Sequence, residues 1–183
     1  MNTDKVINDL KGKKPKRVLF VCLGNICRSP AAEGIMRDVV ARHGQTVAGE
    51  ESDLTDKDKD AADWVIDSAG TGGWHVGDLP DRRMRIHARR RGYELTHICR
   101  QVNPMDFYNF DLIIGMDSQN VRTLKQMAPT VEAEAKVMPM GMFLDPGMGF
   151  DYVPDPYYEG ADGFERVLTL LEDGCERLYQ ELK

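Results

Sequence analysis

Two cysteines, an arginine and a serine lie close together in the stretch FVCLGNICRSP at residues 20–30, and their types and spacing suggest chemistry. A cysteine thiolate is a strong nucleophile. A guanidinium such as that of Arg28 can hold two oxygens of a phosphate at once. The pattern therefore predicts that Cys22 attacks a phosphate group bound by Arg28.

The loop between Cys22 and the next helix is expected to form the binding site for that phosphate. Successive backbone N–H groups can form an anion-binding nest, and a helix start adds unpaired N–H groups and a positive dipole end. This positive field also favours the thiolate. Ser29-Pro30 predicts the helix start, with the hydroxyl as its N-cap. The residues expected to surround the phosphate are Leu23, Gly24, Asn25, Ile26, Cys27 and Ser29.

Two other interpretations of the cysteine pair fit the sequence less well. A zinc site needs further ligands in a second cluster, but Cys99 and Cys175 stand apart from each other. A thioredoxin-like dithiol needs Cys-x-x-Cys spacing, whereas four residues separate Cys22 from Cys27. We therefore expect no metal and no other cofactor.

Phosphoryl transfer through a thiolate also needs an acid for the leaving oxygen and a base for water. Asp155 is the candidate for both roles, because Pro154 and Pro156 stiffen a loop that carries its carboxylate beside Tyr157 and Tyr158. Spacing alone leaves open that Asp155 is an ordinary loop carboxylate.

The surrounding elements predict one α/β domain. The apolar run at 18–21 is continuous, as in a strand buried on both faces of a parallel sheet. Sites in such sheets lie at the carboxyl ends of strands, where Cys22 falls. We expect a short, four-stranded, mostly parallel sheet flanked by helices, with a phosphate-binding loop after the first strand. Further strands are expected at 64–69, 111–116 and, at an edge, 136–139, and helices at 31–43, 80–92, 118–127 and 164–182.

Polar segments and overall charge limit the remaining possibilities. Residues 1–16 predict a flexible leader before a domain at 17–183, and the acidic stretch at 49–63 predicts an exposed loop. The net charge of -6 argues against nucleic acid and anionic membrane as partners. Without a recognisable signal peptide or an apolar stretch of membrane-spanning length, a cytoplasmic protein is expected.

The expected helix at 80–92 is rich in arginine. Such a surface could attract acidic phosphopeptides or polyphosphorylated ligands, although a solvated helix face is the more ordinary interpretation. The arginines are Arg82, Arg83, Arg85, Arg89, Arg90 and Arg91.

Together, these motifs resemble the low-molecular-weight protein tyrosine phosphatases over about residues 17–182. The resemblance implies that Cys22 is the nucleophile of a phosphocysteine mechanism, that Arg28 binds the phosphoryl oxygens and that Asp155 is the general acid and then the base. The blocks that carry it are VCLGNICRSP at 21–30 with Ala32-Glu33, Asp67-Ser68-Ala69, Met116-Asp117 and Asp155-Pro156-Tyr157-Tyr158.

The resemblance also implies roles for residues around the nucleophile. Asn25, Ser29 and His97 would form a hydrogen-bond network that holds the loop and the thiolate. Cys27 could form a reversible disulfide with Cys22 that shields it from irreversible oxidation. The aromatic walls of a cleft for an aryl phosphate would be Trp74, Tyr157 and Tyr158.

The partners implied are phosphotyrosine-containing proteins or peptides, with phosphate and vanadate as competing ligands. Arsenate reductases of similar fold relay electrons through a pair of downstream cysteines, but only Cys99 lies in that region. Protein arginine phosphatases carry threonine where this chain has Ile26, and a smaller group after the Asp-Pro at 155–156. Both of these differences from arginine phosphatases favour phosphotyrosine. The alternatives are a non-catalytic phosphate-binding or redox-sensing module, and a phosphatase for phosphoarginine or small-molecule phosphates.

Overall fold

The computed structural model describes residues 3–48 and 62–183, so most of the expected acidic loop at 49–63 lies outside the described residues. The strands are β1 Lys16–Cys22, β2 Trp64–Gly70, β3 Leu112–Gly115 and β4 Val137–Pro139. The helices are α1 Thr3–Leu10, α2 Arg28–Arg42, α3 Arg82–Arg90, α4 Asp106–Asn109, α5 Ser118–Met127, α6 Val131–Ala135 and α7 Ala161–Leu182, with 3₁₀ turns at Met140–Phe143 and Pro146–Met148.

In the described part of the chain, the strands form one four-stranded sheet in the order β2-β1-β3-β4, and every neighbouring pair is parallel. The expected single-domain α/β fold with a mostly parallel sheet is confirmed. β4 lies at an edge, as Pro139 predicts, because a proline cannot donate to a neighbouring strand. β1 lies between β2 and β3, so Cys22 at its carboxyl end lies between the carboxyl ends of two neighbouring strands.

Side chains of β1 alternate between two hydrophobic clusters. Val18 and Phe20 pack with the buried faces of α2 and α7. Leu19 and Val21 pack on the opposite face of the sheet with Phe107 of α4. Both faces of β1 are therefore covered, which is why its apolar run is continuous rather than alternating. Burying each of these large side chains contributes about 1.5–3 kcal/mol.

The segment expected to be a flexible leader is instead helical over its described first part. α1 buries Val6, Ile7 and Leu10 in the main core and packs against α7. This spacing places the three apolar side chains on one face of a helix. The low apolar content of residues 1–16 hid that face, so the prediction of a flexible leader is wrong for α1.

Aspartate side chains cap the starts of two of the described helices. The carboxylates of Asp81 and Asp117 accept hydrogen bonds from backbone N–H groups in the first turns of α3 and α5, respectively. Gly92 follows α3 with φ of 94°.

No helix within 3–48 or 62–183 is both long enough and apolar enough to cross a membrane.

Candidate active site

The loop between β1 and α2 turns sharply at Asn25. Cys22 is the last residue of β1, and α2 begins only six residues later, at Arg28. Asn25 has φ of 56°, and asparagine is one of the few non-glycine residues that adopt this left-handed conformation readily. The loop can therefore wrap around a small volume above Cys22.

The hydroxyl of Ser29 does not cap α2, which corrects the prediction of its N-cap. The helix begins at Arg28, two residues before the predicted first helical residue Pro30, with Cys27 as the N-cap residue. The Ser29 hydroxyl instead lies 3.1 Å from Cys22 Sγ and accepts a hydrogen bond of 2.9 Å from Asn25 Nδ2. It is thus placed to donate a hydrogen bond to a Cys22 thiolate, or to Ala69 O at 3.2 Å.

β2 approaches this loop so closely that Gly70 has no room for a side chain. A Cβ on Gly70 would lie 2.8 Å from Leu23 O and 3.0 Å from Asn25 N. The strand predicted at 64–69 stops before Gly70, and sequence reasoning assigned this residue no role. The spacing along the chain gives no sign that two backbone segments meet there.

His97 supports the loop from below. Its Nε2 lies 2.9 Å from Asn25 Oδ1, and its Nδ1 lies 3.1 Å from Glu33 Oε2. Burial alone would lower the pKa of His97, but the hydrogen bond and charge of Glu33 outweigh burial and raise it. With acceptors at both ring nitrogens, the imidazolium form fits this position. The structure thus brings together Asn25, Ser29 and His97, the three residues of the expected network.

Four further residues extend this network, and sequence reasoning assigned none of them a role: Glu33, Asp67, Ser68 and Arg100. Ser68 Oγ accepts from Asn25 Nδ2 at 3.0 Å and donates to Glu33 Oε2 at 2.7 Å. Arg100 donates its backbone N–H to Asn25 Oδ1 at 2.9 Å and its guanidinium to Asp67 Oδ2 at 2.7 Å. The Asn25 side-chain amide is therefore held at both of its ends.

Glu33, Asp67 and His97 also have the ligand types of a metal site, with ligand atoms within 4.8 Å of one another. These atoms are already engaged in ion pairs. Glu33 and Asp67 face the cations of His97 and Arg100. Partnered in this way, the three groups fit a buried ion-pair network that stiffens the loop.

Arg28 is held by three oxygens from distant parts of the chain. Its Nη1 donates to Asp117 Oδ2 at 2.6 Å and to Val153 O at 3.1 Å, whereas Nη2 reaches Asp155 Oδ2 only at 3.5 Å. Burial would lower the pKa of Arg28, but the nearby Cys22, Asp117 and Asp155 together raise it. Asp117 lay in a recognised motif, but the sequence did not reveal this contact.

Cys22, Arg28 and Asp155 meet at one cavity of about 210 Å³. Its floor is the polar loop, and its walls are largely aromatic. The rim is open, since Trp74 is 73% and Tyr158 is 95% exposed. The lining residues are Cys22, Leu23, Gly24, Ile26, Cys27, Arg28, Trp74, His75, Asp155, Tyr157 and Tyr158.

Arg83 holds the Tyr157 wall in place. Its Nη1 donates to Tyr157 O at 3.1 Å, and its guanidinium carbon lies 5.2 Å from the centre of the Tyr157 ring and 4.9 Å from that of Phe164. Asp81 fixes the other side of the guanidinium at 2.9 Å. This cation–π contact was not visible in the sequence.

The remaining cysteines differ in character from an activated nucleophile. Cys22 and Cys27 are both free thiols. Burial, followed by the charges of Asp81 and Cys22, raises the pKa of Cys27. Burial likewise raises the pKa of Cys99 to about 12. Both therefore stay protonated at neutral pH.

Comparisons with known proteins agree with this geometry. Residues 17–183 match the model of the low molecular weight phosphotyrosine protein phosphatases. The chain belongs to this family. A member from Schizosaccharomyces pombe is 43% identical over 166 residues, covering 91% of this chain and 96% of the relative. The family and the fold inferred from the sequence are both confirmed.

Solved structures of this phosphatase family also resemble the chain. A protein tyrosine phosphatase from Entamoeba histolytica, crystallised with Hepes in its active site, has a TM-score of 0.78 and 42% identity, covering 91% of this chain and 96% of its own. A Drosophila arginine phosphatase, DARP, has a TM-score of 0.74 and 32% identity, covering 91% of this chain and 97% of its own. The shared fold thus accompanies two different named activities.

Proposed function

We propose that this chain is a protein tyrosine phosphatase that hydrolyses phosphotyrosine monoesters through a phosphocysteine intermediate. The observation that carries the proposal is the meeting of Cys22, Arg28 and Asp155 at one small cavity with aromatic walls. These residues come from the end of β1, the start of α2 and a distant loop. Their convergence supplies a nucleophile, an oxyanion ligand and an acid at the same place.

In the first step, the Cys22 thiolate attacks the phosphorus atom, so that an S–P bond forms while the P–O bond to the tyrosine breaks. Asp155 gives its proton to the departing phenolic oxygen. Arg28 and the N–H groups of the loop stabilise the charge on the phosphoryl oxygens. Negative charge thus accumulates where donors are already fixed.

In the second step, water attacks the phosphocysteine. Asp155, now ionised, takes a proton from that water, and Cys22 departs as a thiolate when the S–P bond breaks. The Ser29 hydroxyl, 3.1 Å from the sulfur, stabilises the leaving thiolate by donating a hydrogen bond. Inorganic phosphate leaves, and phosphate or vanadate competes with substrate for the same loop.

The cavity walls support an aryl phosphate as the substrate. Trp74, Tyr157 and Tyr158 border the cavity and can pack against a phenyl ring. Ile26, in the loop that forms the cavity floor, presents an apolar surface rather than the threonine hydroxyl that the resemblance assigns to arginine phosphatases. An aromatic leaving group fits these walls better than a polar guanidinium does.

A substrate panel with matched variants tests the proposal. We expect the kcat/KM for a phosphotyrosine peptide to exceed those for phosphoserine and phosphoarginine versions, without added metal. Cys22→Ser should abolish turnover, whereas Cys175→Ser, a change at a cysteine buried in α7, should preserve it. Asp155→Ala should accumulate phosphocysteine with an aryl phosphate.

Turnover by Cys22→Ser would overturn the proposed mechanism. A higher kcat/KM for phosphoarginine than for phosphotyrosine would instead assign this chain the activity named for DARP.

A further inference from the structure

The arginines on and just after α3 fall into two groups. Three of them are neutralised by carboxylates: Arg83 by Asp81, Arg89 by Glu94, and Arg91 by Glu165 and Glu172. The other three, Arg82, Arg85 and Arg90, form no hydrogen bond or ion pair with any described residue. Three of the six arginines are therefore paired within the protein, and three form no close pair, although the charge of Arg85 helps to lower the pKa of Glu94.

The first turn of α3 lies at the rim of the cavity. Asp81, its N-cap, donates its backbone N–H to Ile26 O in the phosphate-binding loop at 2.8 Å. Arg82 is the next residue and is exposed, and Arg85 follows within the same turn. Arg90 lies about 12 Å from Arg82 along the helix. Arg82 thus directly follows the residue bonded to the cavity loop, Arg85 lies within one turn of it, and Arg90 lies more than two turns away.

We propose that Arg82 and Arg85 bind acidic side chains that flank the phosphotyrosine of a peptide substrate. This inference rests on the proposed function and specifies its substrate class. An extended peptide advances about 3.3 Å per residue, so side chains two to four positions from the phosphotyrosine lie about 7–13 Å along the peptide from it, a span that an arginine beside the loop can serve. A guanidinium binds a carboxylate through two parallel N–H groups.

The charge of the two arginines favours binding of an acidic peptide segment over a neutral one. The whole chain has a net charge of -6 and repels an acidic peptide at long range. Arg82 and Arg85 oppose that repulsion locally, within a Debye length of about 8 Å at physiological salt. Acidic flanking residues therefore bind favourably only when the phosphotyrosine is seated in the cavity.

The test compares two phosphotyrosine peptides that differ only in flanking glutamates or glutamines. For the parent protein, we expect kcat/KM to be about three- to ten-fold higher for the acidic peptide at low salt. Arg82→Gln and Arg85→Gln should each lower this preference about two- to five-fold, the size expected of an exposed ion pair. Arg90→Gln removes the same charge far from the rim and should leave the preference unchanged.

Binding measurements separate this proposal from the catalytic one. In the Cys22→Ser background, fluorescence anisotropy should show the same preference in Kd, and the same loss on Arg82→Gln, without any turnover. If the peptides bind selectively but the parent does not hydrolyse them, the proposed activity fails and the surface stands. If the parent hydrolyses both peptides equally, the proposed binding of acidic flanking residues is wrong, whereas the proposed phosphatase activity is supported.

A third outcome concerns lipid. Vesicles containing phosphatidylserine that bind the parent but not Arg82→Gln, together with equal affinities for the two peptides, would make α3 a membrane-facing surface and overturn the proposal.

Discussion

The floor and the rim of the cavity are built in different ways. On the floor, Asn25, Arg28 and Ser29 are almost completely buried, and each has several hydrogen-bond partners from distant segments. On the rim, Trp74 and Tyr158 are mostly exposed. The floor is held in one arrangement, as phosphoryl transfer requires, whereas the rim can adapt to different substrates. We therefore expect changes to the floor to lower kcat and changes to the rim to alter KM and selectivity.

The largest effect should come from Gly70→Ala. The new methyl group would meet the backbone of the phosphate-binding loop at 2.8–3.0 Å and displace it. A displacement near 1 Å lowers catalysis on the order of 100-fold. Steady-state kinetics with an aryl phosphate would measure the loss. Gly160→Ala, where a Cβ meets nothing within 4 Å, should change kcat little. Equal kcat values for the two variants would show that the phosphate-binding loop accommodates the methyl group without losing its catalytic geometry.

Asp117→Asn should have the next largest effect. Asparagine keeps the N-cap of α5 but loses the charge that holds Arg28 at 2.6 Å. A hydrogen bond to a charged group contributes about 1.5–3 kcal/mol, so kcat/KM should fall about 10- to 100-fold. Asp151→Asn, a neighbouring exposed carboxylate, serves as the control for charge alone. A parental kcat/KM in Asp117→Asn would mean that the other partners of Arg28 suffice.

His97→Gln should make stability depend less on pH. The pKa of His97 is raised in the folded protein, so its charge stabilises fully below its ordinary value of 6.5, and this stabilisation is lost as pH rises through the folded pKa. The lowered pKa of Glu33 gives stabilisation that is complete above its ordinary value of 4.5 and lost as pH falls through the folded pKa. The variant should therefore lose most stability, about 1–3 kcal/mol, between these two values.

Urea unfolding at about pH 5.5 and about pH 9 would measure that difference, which should shrink at the higher pH. His43→Gln, which removes a more exposed histidine contact to Glu176, is the matched control. A loss of stability in His97→Gln that is the same at both pH values would contradict a charged His97.

The smallest effect should come from the rim. Trp74→Ala removes part of the aromatic wall, and KM for a phosphotyrosine peptide should rise about three-fold while kcat stays near the parental value. Tyr108→Ala, at another exposed aromatic residue away from the cavity, should change neither. A large fall in kcat for Trp74→Ala would show that this rim residue, like those of the floor, contributes to the chemical step.

The success of sequence reasoning depended on how local the signal was. Cys22, Arg28 and the following helix lie within a few residues of one another, and β1 shows its burial directly in its apolar run. By contrast, Asp117 lies 89 positions from Arg28, and Arg100 lies 75 positions from Asn25. Such contacts leave no local pattern, because they depend on which strand ends become neighbours in the sheet.

α1 shows the same limit at the scale of an element. Its three apolar residues form a helix face only because α7 provides a surface to cover them, and an isolated helix of eight residues would be marginal in water. The composition indicates a polar segment, as observed, but the helix that stabilises it lies at the far end of the chain.

The packing of α1 on α7 also affects how the molecule opens. Val6 and Leu182 belong to one buried cluster, and Lys11 lies 3.8 Å from Glu181, so α1 and the last turn of α7 protect each other. Segments that share a core tend to open together as one cooperative unit. Backbone amides in these two helices, more than 150 positions apart in sequence, should therefore exchange with solvent deuterium at a common opening free energy.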